Sequence, residues 1–473
     1  MATDKTQNES QIKLGSDDDL NLYLNPATAR FLKNVSKAIL RDPGLPRPNP
    51  TVSAWQVPPH PSLASIQSRD LPEFTDFAVI GSGITGCSVT KTLLEHPSIA
   101  NSSVTVLEAR TLVSGATGRN GGHLVTASGH TFGPLAEQHG VEAAKEITRF
   151  SIMNINHLMR LVREFDPALQ EECQIRDVLK VMAVGDDETW ASAKSSVLGF
   201  QDKVPEYSAY HSIIERGQVP ERWNIKNASG AVEHEAGAIW PYRLLTGIYQ
   251  RLLDNYSDRL SIETNTPVTR VEFSKGLYPY TITTPRGSIR ARKVIHYAET
   301  GFFDTGLYYL QQNALTGSIW IGNETAYMKD VLTADDTYVP EEARQALSTV
   351  LPKLFLNGWG SEAVSEIESI WSGIQGHTAD GLPIVGRIPE SLTGNIGDNG
   401  QWIAAGFNGY GMDKCWLTGE ALVKMMLGDD VSGWFPQAFL VTEERLQTKL
   451  TADQTLLKFA KIALPGGAKN GKL

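Results

Sequence analysis

The chain has 473 residues, room for two or three domains at about 150 residues each, and its 41% hydrophobic and 20% charged residues suit a globular protein with a large core. Its formal net charge of −10 excludes a nucleic-acid surface, which needs clustered Lys and Arg. Cys87, Cys173 and Cys415 are the only cysteines and have no paired spacing. Neither a disulfide framework nor a zinc site follows, and a reducing, cytoplasmic setting is expected.

Residues 1–20 are polar and acidic, lack the apolar stretch of a signal peptide, and read as disordered. A short amphipathic helix is predicted over 27–40. Residues 41–68 are Pro-rich, cannot form a helix, and are expected to run extended across the surface with Trp55 packed on the body. No run approaches the roughly 18 apolar residues of a membrane span. Residues 77–80 are an unbroken apolar run, as a buried parallel strand requires. Gly81-Ser82-Gly83-Ile84-Thr85-Gly86 follows as a G-x-G-x-x-G turn into a helix over 87–94. Gly81 permits the tight turn, Gly83 lets backbone approach a pyrophosphate, and Gly86 brings helix and strand close. The helix N-terminus then offers N–H groups to phosphates. Residues 104–107 form a second strand ending in Glu108, at about the spacing where an acid takes the ribose hydroxyls. Dinucleotide binding is therefore assigned to Gly81–Gly86 with Glu108, Ala109 and Arg110. Arg110 could suit NADP, but Glu108 would repel its 2′-phosphate.

The run Ser114-Gly115-Ala116-Thr117-Gly118-Arg119-Asn120-Gly121-Gly122-His123 is made of small residues with one guanidinium and one amide. Such backbone can lie against a flat ring while its N–H groups and Arg119 meet phosphate charge. Here the sequence resembles the FAD-dependent oxidoreductases of the D-amino-acid-oxidase (DAO) superfamily. Within it, the run is similar to the branch of γ-glutamylputrescine oxidase and many fungal proteins, some with a leader like residues 42–46 and 59–61. The resemblance implies FAD, with Glu108 on the adenosine ribose; some members carry it covalently on Cys, but Cys415 does not match that motif position, so non-covalent FAD is expected. Gly115, Ala116 and Thr117 would then bind the cofactor, and Arg119, Asn120, Gly121, Gly122 and His123 would run beside the isoalloxazine. It also implies an α/β fold (α+β overall), in which a Rossmann-like FAD-binding domain is interleaved with a smaller antiparallel-sheet substrate domain.

Residues 141–165 read as a long helix whose stripe of Ile147, Ile152, Ile155, Leu158, Met159 and Val162 faces the core. A strand over 178–183 and a helix over 187–199 follow. His234-Glu235 has no second His at metal-ligand spacing, so no metal site is assigned. Residues 238–247 make a Pro-containing turn into a helix over 244–253, where the resemblance returns the chain to the FAD domain. Residues 261–271 alternate as one strand, and by resemblance Val268 gives backbone contacts to adenine. A hairpin over 280–284 and 288–291 turns at Pro285-Arg286-Gly287. The next strand ends in Glu299 and Thr300, unusual replacements in the family's A-T-N-A-Y element. The chain then passes almost directly to a strand over 317–322, where relatives place a long sheet segment. Neither their pocket nor any oxygen-activating side chain on that sheet carries over. A helix over 341–350 stops before Pro352. Residues 371–386 resemble the family's C-terminal signature, with Gly373 and Asp380 at the flavin. A last strand over 401–405 enters Gly406-Phe407-Asn408-Gly409-Tyr410-Gly411-Met412 and a helix over 413–426. The N-terminus of that helix would stabilise charge at flavin N1 and the C2 carbonyl. Gly471-Lys472-Leu473 is similar to a peroxisomal address without its Ser, an alternative to the cytoplasm.

These readings divide the chain into a leader (1–73), FAD-binding segments (74–150, 238–303, 367–430), substrate-domain segments (151–237 and a shortened 304–366) and a tail (431–473). The leading expectation is an FAD-dependent oxidoreductase acting on a C–N bond of an amine or amino-acid-like small molecule, with hydride transfer to flavin N5 and O2 or another electron acceptor. The shortened segment leaves open a flavoenzyme that oxidises or cyclises a fungal secondary metabolite, and, with Glu299, a non-redox flavin-binding scaffold. His123 is the candidate for orienting substrate or moving a proton. Tyr242, Arg243 and Tyr410 complete the candidate catalytic set, Arg243 being suited to a carboxylate. Substrate, electron acceptor and oligomeric state stay open.

Overall fold

The computed structural model describes residues 26–296, 308–313, 316–323, 332–359 and 366–463. The predicted disorder of 1–20, Glu299 and Thr300, and Gly471-Lys472-Leu473 lie outside them. In chain order the strands are β1 (Phe74–Ile80), β2 (Val104–Leu107), β3 (His123–Leu124), β4 (Arg176–Val184), β5 (Ser212–Glu215), β6 (Gly230–Ala238) and β7 (Leu260–Glu263). They continue as β8 (Arg270–Phe273), β9 (Tyr280–Thr284), β10 (Gly287–His296), β11 (Tyr308–Gln312), β12 (Ile319–Asn323), β13 (Ile384–Arg387) and β14 (Gln401–Ala405). The helices used below are α1 (Pro26–Ile39), α2 (Ile84–Glu95), α3 (Ser128–His139), α4 (Val141–Glu164), α5 (Asp187–Lys203), α6 (Pro241–Tyr256), α7 (Cys415–Leu427) and α8 (Ala452–Ala463).

An apolar strand without polar alternation needs cover on both faces, and β1 has it. It lies in a parallel ladder β14-β10-β1-β2-β7, with β13 antiparallel at one edge. One face, carrying Val79, Val104, Val106 and Ile262, packs on Val89 and Leu93 of α2, Leu245 and Ile248 of α6, and Ala421 and Leu422 of α7. The other face, with Ala78, Leu107 and Val294, is covered by Ile282 and Ile289 of the antiparallel β8-β9-β10 meander. The predicted strand over 261–271 is in fact two. β7 ends at Glu263, Asn265 adopts φ +50, and Pro267 has no N–H to give before β8 begins in the meander.

The second sheet has four strands, with β6 at its centre paired antiparallel to β4 along its whole length and to β3 and β5 at its two ends. At the β3 end, α4 packs beneath it: a Cβ on Gly237 would lie 2.4 Å from Met159 Sδ. All six residues of the predicted α4 stripe are buried. β11 and β12 form a separate two-stranded ladder. It is tied to the second sheet by side chains, with Arg176 Nη2 donating to Gln311 Oε1 at 3.0 Å and Asn313 Nδ2 to Gln174 Oε1 at 3.0 Å. Residues 443–463, read as tail, are integral. Arg445 is buried, and Leu456 and Phe459 of α8 pack on Leu32 and Val35 of α1. No helix among the described residues is long and apolar enough to cross a membrane.

Candidate active site

The glycine turn joins β1 to α2. Gly81 has φ +107, which L side chains rarely adopt, and no side chain caps α2 at Gly83. A Cβ on Gly83 would sit 3.0 Å from Thr117 Oγ1, and the Ile84 N–H donates to that hydroxyl at 2.9 Å. The turn is thereby locked onto the small-residue run. Thr85 and Gly86, in the buried first turn of α2, have no intrahelical acceptor for their N–H groups. Glu108, at the end of β2, accepts from Ser82 N–H at 3.0 Å, Ser82 Oγ at 2.7 Å and Arg110 N–H at 3.0 Å. Its carboxylate is fixed yet keeps acceptor capacity. An uncapped helix N-terminus beside a positioned acid fits the phosphates and ribose of a dinucleotide. Ala109, half-buried, follows the acid, and Val268 is half-buried against the meander core.

The cations of this region are engaged within the chain. Arg119 is 6% exposed, donating from Nε to Ser114 O at 2.9 Å, from Nη1 to Ser372 O at 2.8 Å and from Nη2 to Thr51 O at 2.5 Å. Burial lowers it to about 10, against the pull of Asp336. Asp336 pairs with Arg110 at 2.8 Å and lies 3.8 Å from Arg119 Nε. Arg119, expected to meet phosphate charge, instead ties the leader and residue 372 to the run. Its donors face carbonyls because the run is buried beneath residues 51–56.

The leader holds the remainder of the run. Gln56 Nε2 donates to Gly118 O at 3.0 Å and Trp55 Nε1 to Asn120 O at 2.5 Å. Trp371 Nε1 donates to Arg119 O at 2.9 Å, and Gln311 Nε2 to Gly121 O at 2.6 Å. Asn120 closes its own loop, Oδ1 accepting from Gly122 N–H at 2.8 Å. Gly115 opens the short turn of Ala116, Thr117 and Gly118. Gly122 has φ +68, and a Cβ there would meet Ile239 O at 2.6 Å and Trp55 Cζ2 at 2.9 Å. Trp55 stacks on Trp320 with centroids 3.9 Å apart.

A cavity of about 1740 Å³ opens beside the run. Ile84, Ala116, Thr117, Arg119, Asn120 and Gly121 line one side, and Gly373 with Phe407 to Asp413 another. Its walls carry Trp55, Tyr309, Trp320, Tyr338, Trp371 and Tyr410. The turn at Gly406 to Met412 is pinned by Asn408, whose Oδ1 accepts from Thr378 N–H at 2.9 Å, and by Asn154 Nδ2, which donates to Met412 O at 3.0 Å. The helix predicted from residue 413 begins at Cys415, because Asp413 accepts from Ser151 Oγ and from Lys414 Nζ at 2.6 Å rather than capping it.

The second sheet places two basic residues, His123 and Lys180, in the cavity wall. The register sets His123, Ala238 and Arg176 in one row and His234 and Lys180 in another, so all five share a face. His123 lines the cavity, donates from Nε2 to Leu310 O at 3.3 Å, and meets Tyr309 edge-on at 6.0 Å. Burial holds it down at about 4, so the imidazole is neutral near pH 7. Burial likewise depresses His130 to about 3 and His234 to about 4. Lys180, half-buried and cavity-lining, is lowered to about 8.

Three candidates lie elsewhere. Tyr242 is buried in α6, its hydroxyl accepting from His60 N–H at 3.0 Å, because its side of the helix faces the main core. Arg243 stacks on Trp240 at 3.7 Å and reaches Glu172 O at 3.4 Å. Asp380 is buried against Arg445 at 2.8 Å, fixing residues 380–383 to the C-terminal segment. Of the proposed chemical residues only His123 and Tyr410 line the cavity. Trp320, Trp371, Asp413 and Lys180 were not singled out from the sequence. For Lys180 a signal existed, since Arg176 and Lys180 fall in phase along a strand that is apolar from Val178 on apart from Lys180 itself. No group of three metal-ligating side chains occurs among the described residues.

A nucleotide-binding sheet interleaved with a smaller antiparallel sheet, with a cavity where they meet, defines a dinucleotide-dependent oxidoreductase. The FAD dependent oxidoreductase (DAO) family profile matches residues 76–298 and 275–425, and the chain belongs to that family. It is 22% identical over 386 residues to gamma-glutamylputrescine oxidoreductase of Escherichia coli, covering 75% of this chain and 84% of that protein. A stretch of 90 residues is 32% identical to the putative oxidoreductase TDA3 of Saccharomyces cerevisiae, spanning 18% of this chain and only 17% of TDA3. Glycine oxidase of Geobacillus kaustophilus superposes with TM-score 0.57 at 17% identity, over 78% of this chain and 99% of its own. L-proline dehydrogenase of P. horikoshii does so with TM-score 0.54 at 18% identity, over 78% and 98%. These two likenesses are of fold. FAD is the family's cofactor, and the chain is an FAD-dependent oxidoreductase.

Proposed function

We propose that this enzyme oxidises a C–N bond of an amine or amino-acid-like small molecule. The observation that carries the reading is the aromatic cavity shared by the run at 116–123 and the turn at 407–412, with a neutral imidazole in its wall. The curated relative of E. coli, named for γ-glutamylputrescine, supports an amine substrate. In this reading Gly81, Ser82, Gly83, Thr85 and Gly86 hold the pyrophosphate of FAD, Glu108 its ribose, and the runs at 115–123 and 406–412 its ring. Bound FAD supplies the hydride acceptor at N5. Aromatic side chains, Trp371 and Tyr410 among them, exclude water and offer π-faces to a substrate ammonium. His123, whose Nε2 proton is directed at Leu310 O, leaves Nδ1 to accept an N–H of the substrate. The turn at Gly411 and Met412 leads into α7, whose N-terminus carries positive potential.

Purified holoenzyme mixed without oxygen with pooled amines and amino acids should lose its yellow flavin band, and dividing the pool should identify the substrate. Failure of every amine to bleach the flavin would end this reading. His123→Ala should lower kcat by about 10²-fold, the scale of a lost positioning or proton-transfer group. In this reading the flavin ring occupies part of the 1740 Å³ cavity, and rates of flavin reduction distinguish a small amine from a larger metabolite in the space that remains. Faster reduction by bulky amines than by small ones would favour the larger metabolite.

A further inference from the structure

We infer that Lys180 is an anion-binding anchor of the cavity, taking a carboxylate or similar group of the substrate remote from the carbon that is oxidised. The inference deepens the amine-oxidation reading and rests on it for the word substrate. Three cationic side chains other than histidine line the cavity among the described residues: Arg119, Lys180 and Lys226. Arg119 is bonded to three carbonyls, and Lys226 Nζ donates to Pro352 O at 2.8 Å. The Lys180 ammonium makes no hydrogen bond or ion pair with any described residue.

The sheet keeps acids away from it. Glu233 and Glu235 of β6 pair with Val181 and Leu179 and so project from the opposite face. Glu233 is there engaged by Arg222, Nε to Oε2 at 2.8 Å, and Glu235 is exposed. Asp413, the acid whose field reaches Lys180, is already held by Ser151 and Lys414. What lies near the ammonium is neutral: His234 directly across the ladder, with His123 and His130 close enough to feel its charge. A half-buried charge without a partner is unfavourable unless a ligand supplies one.

Register also sets the scale. Lys180 lies four residues along β4 from the row of Arg176, Ala238 and His123, about 13 Å at 3.3 Å per residue. An α-amino acid cannot span that gap between its amine and its carboxylate. An extended amine with a distal carboxylate can.

The test titrates oxidised holoenzyme with glutarate, followed by the visible difference spectrum of the flavin, in wild type, Lys180→Met and Lys180→Arg. Glutarate should bind wild type and Lys180→Arg comparably and Lys180→Met about tenfold or more weakly, the scale of one charge-assisted hydrogen bond, while n-butylamine binding stays unchanged in all three. Equal glutarate affinity in Lys180→Met, or no glutarate binding to wild type, overturns the anchor. Flavin content and thermal midpoint show that each variant is folded. Because the readout is binding, glutarate dependence on Lys180 in a protein whose flavin no amine reduces would retain the anchor and remove the amine reading. Conversely, amine turnover with Lys180-independent glutarate binding would retain the reading and remove the anchor.

Discussion

Which basic groups of the cavity keep their charge decides what it can recognise. His123 and His130 in its wall, and His211 and His234 outside its lining, are held at about 4, 3, 2 and 4, chiefly by burial, so near pH 7 they are neutral donors and acceptors. The charge of Lys180 reaches all four of these imidazoles, Asp413 favours its charged form, and it stays cationic up to about pH 8. A carboxylate ligand needs the ammonium, so its affinity should fall about tenfold per pH unit above that value. In the unfolded chain Lys180 returns to 10.5, so between about 8 and 10.5 the unfolded state binds more protons. Burial of the charge therefore destabilises the fold fully below about pH 8, and the penalty fades as pH rises toward 10.5. Lys180→Met should accordingly raise the thermal midpoint at pH 7 while weakening carboxylate binding, and the gain should shrink at pH 10. A midpoint lowered by the substitution would mean that the ammonium has a structural partner.

Among the elements, the leader alters the account of the site most. Its Pro-rich composition predicts an extended strap, and Trp55 predicts where it docks. Its partners are the small-residue run itself, through Asn120 O, Gly118 O and the guanidinium of Arg119. Trp55 is 3% exposed between Trp240 and Trp320, so Trp55→Ala should cost about 3–5 kcal/mol. Since the lost contacts hold the run, the variant should release FAD, seen as flavin fluorescence, at lower temperature than the global transition. Trp55→Phe keeps most of the packing and loses the bond to Asn120 O, worth about 1 kcal/mol. Both variants retaining FAD like wild type would show that the strap merely covers the site. The glycine motif is legible in sequence because a tight turn and a close backbone approach constrain contiguous positions at Gly81 and Gly83. The break between β7 and β8 is not, because alternation continues through residues 261–271 while the left-handed Asn265 turns the chain from the edge of the parallel ladder into the meander.

At the scale of the whole molecule, the main sheet draws β1 and β2, β7 and β10, and β13 and β14 from three separated stretches, and the cavity is built where they meet the inserted second sheet. That explains why the glycine-rich part of the cavity wall is readable and the rest of the wall is not. Trp55, Lys180, Trp320 and Trp371 come from distant segments, and no local spacing announces that they converge. Tyr242 and Arg243 failed as pocket residues for the same reason, since adjacency to a family turn does not fix which side of α6 meets the cavity. Interleaving also brings Arg445, near the end of the described residues, into the core. Arg445 pairs with Asp380 and donates to Leu382 O and Pro383 O at 2.9 Å, with side chains 8% and 4% exposed. Arg445→Met leaves a buried carboxylate and bare carbonyls and should destabilise the protein by about 3–5 kcal/mol in urea. Adding Asp380→Leu should recover most of that loss, because the uncompensated charge dominates it. Residues 380–383 lead straight into β13, so flavin release and tryptophan emission should shift together in Arg445→Met. Separate transitions, with flavin retained after the C-terminal segment has melted, would show that residues 443–463 form an independent appendage.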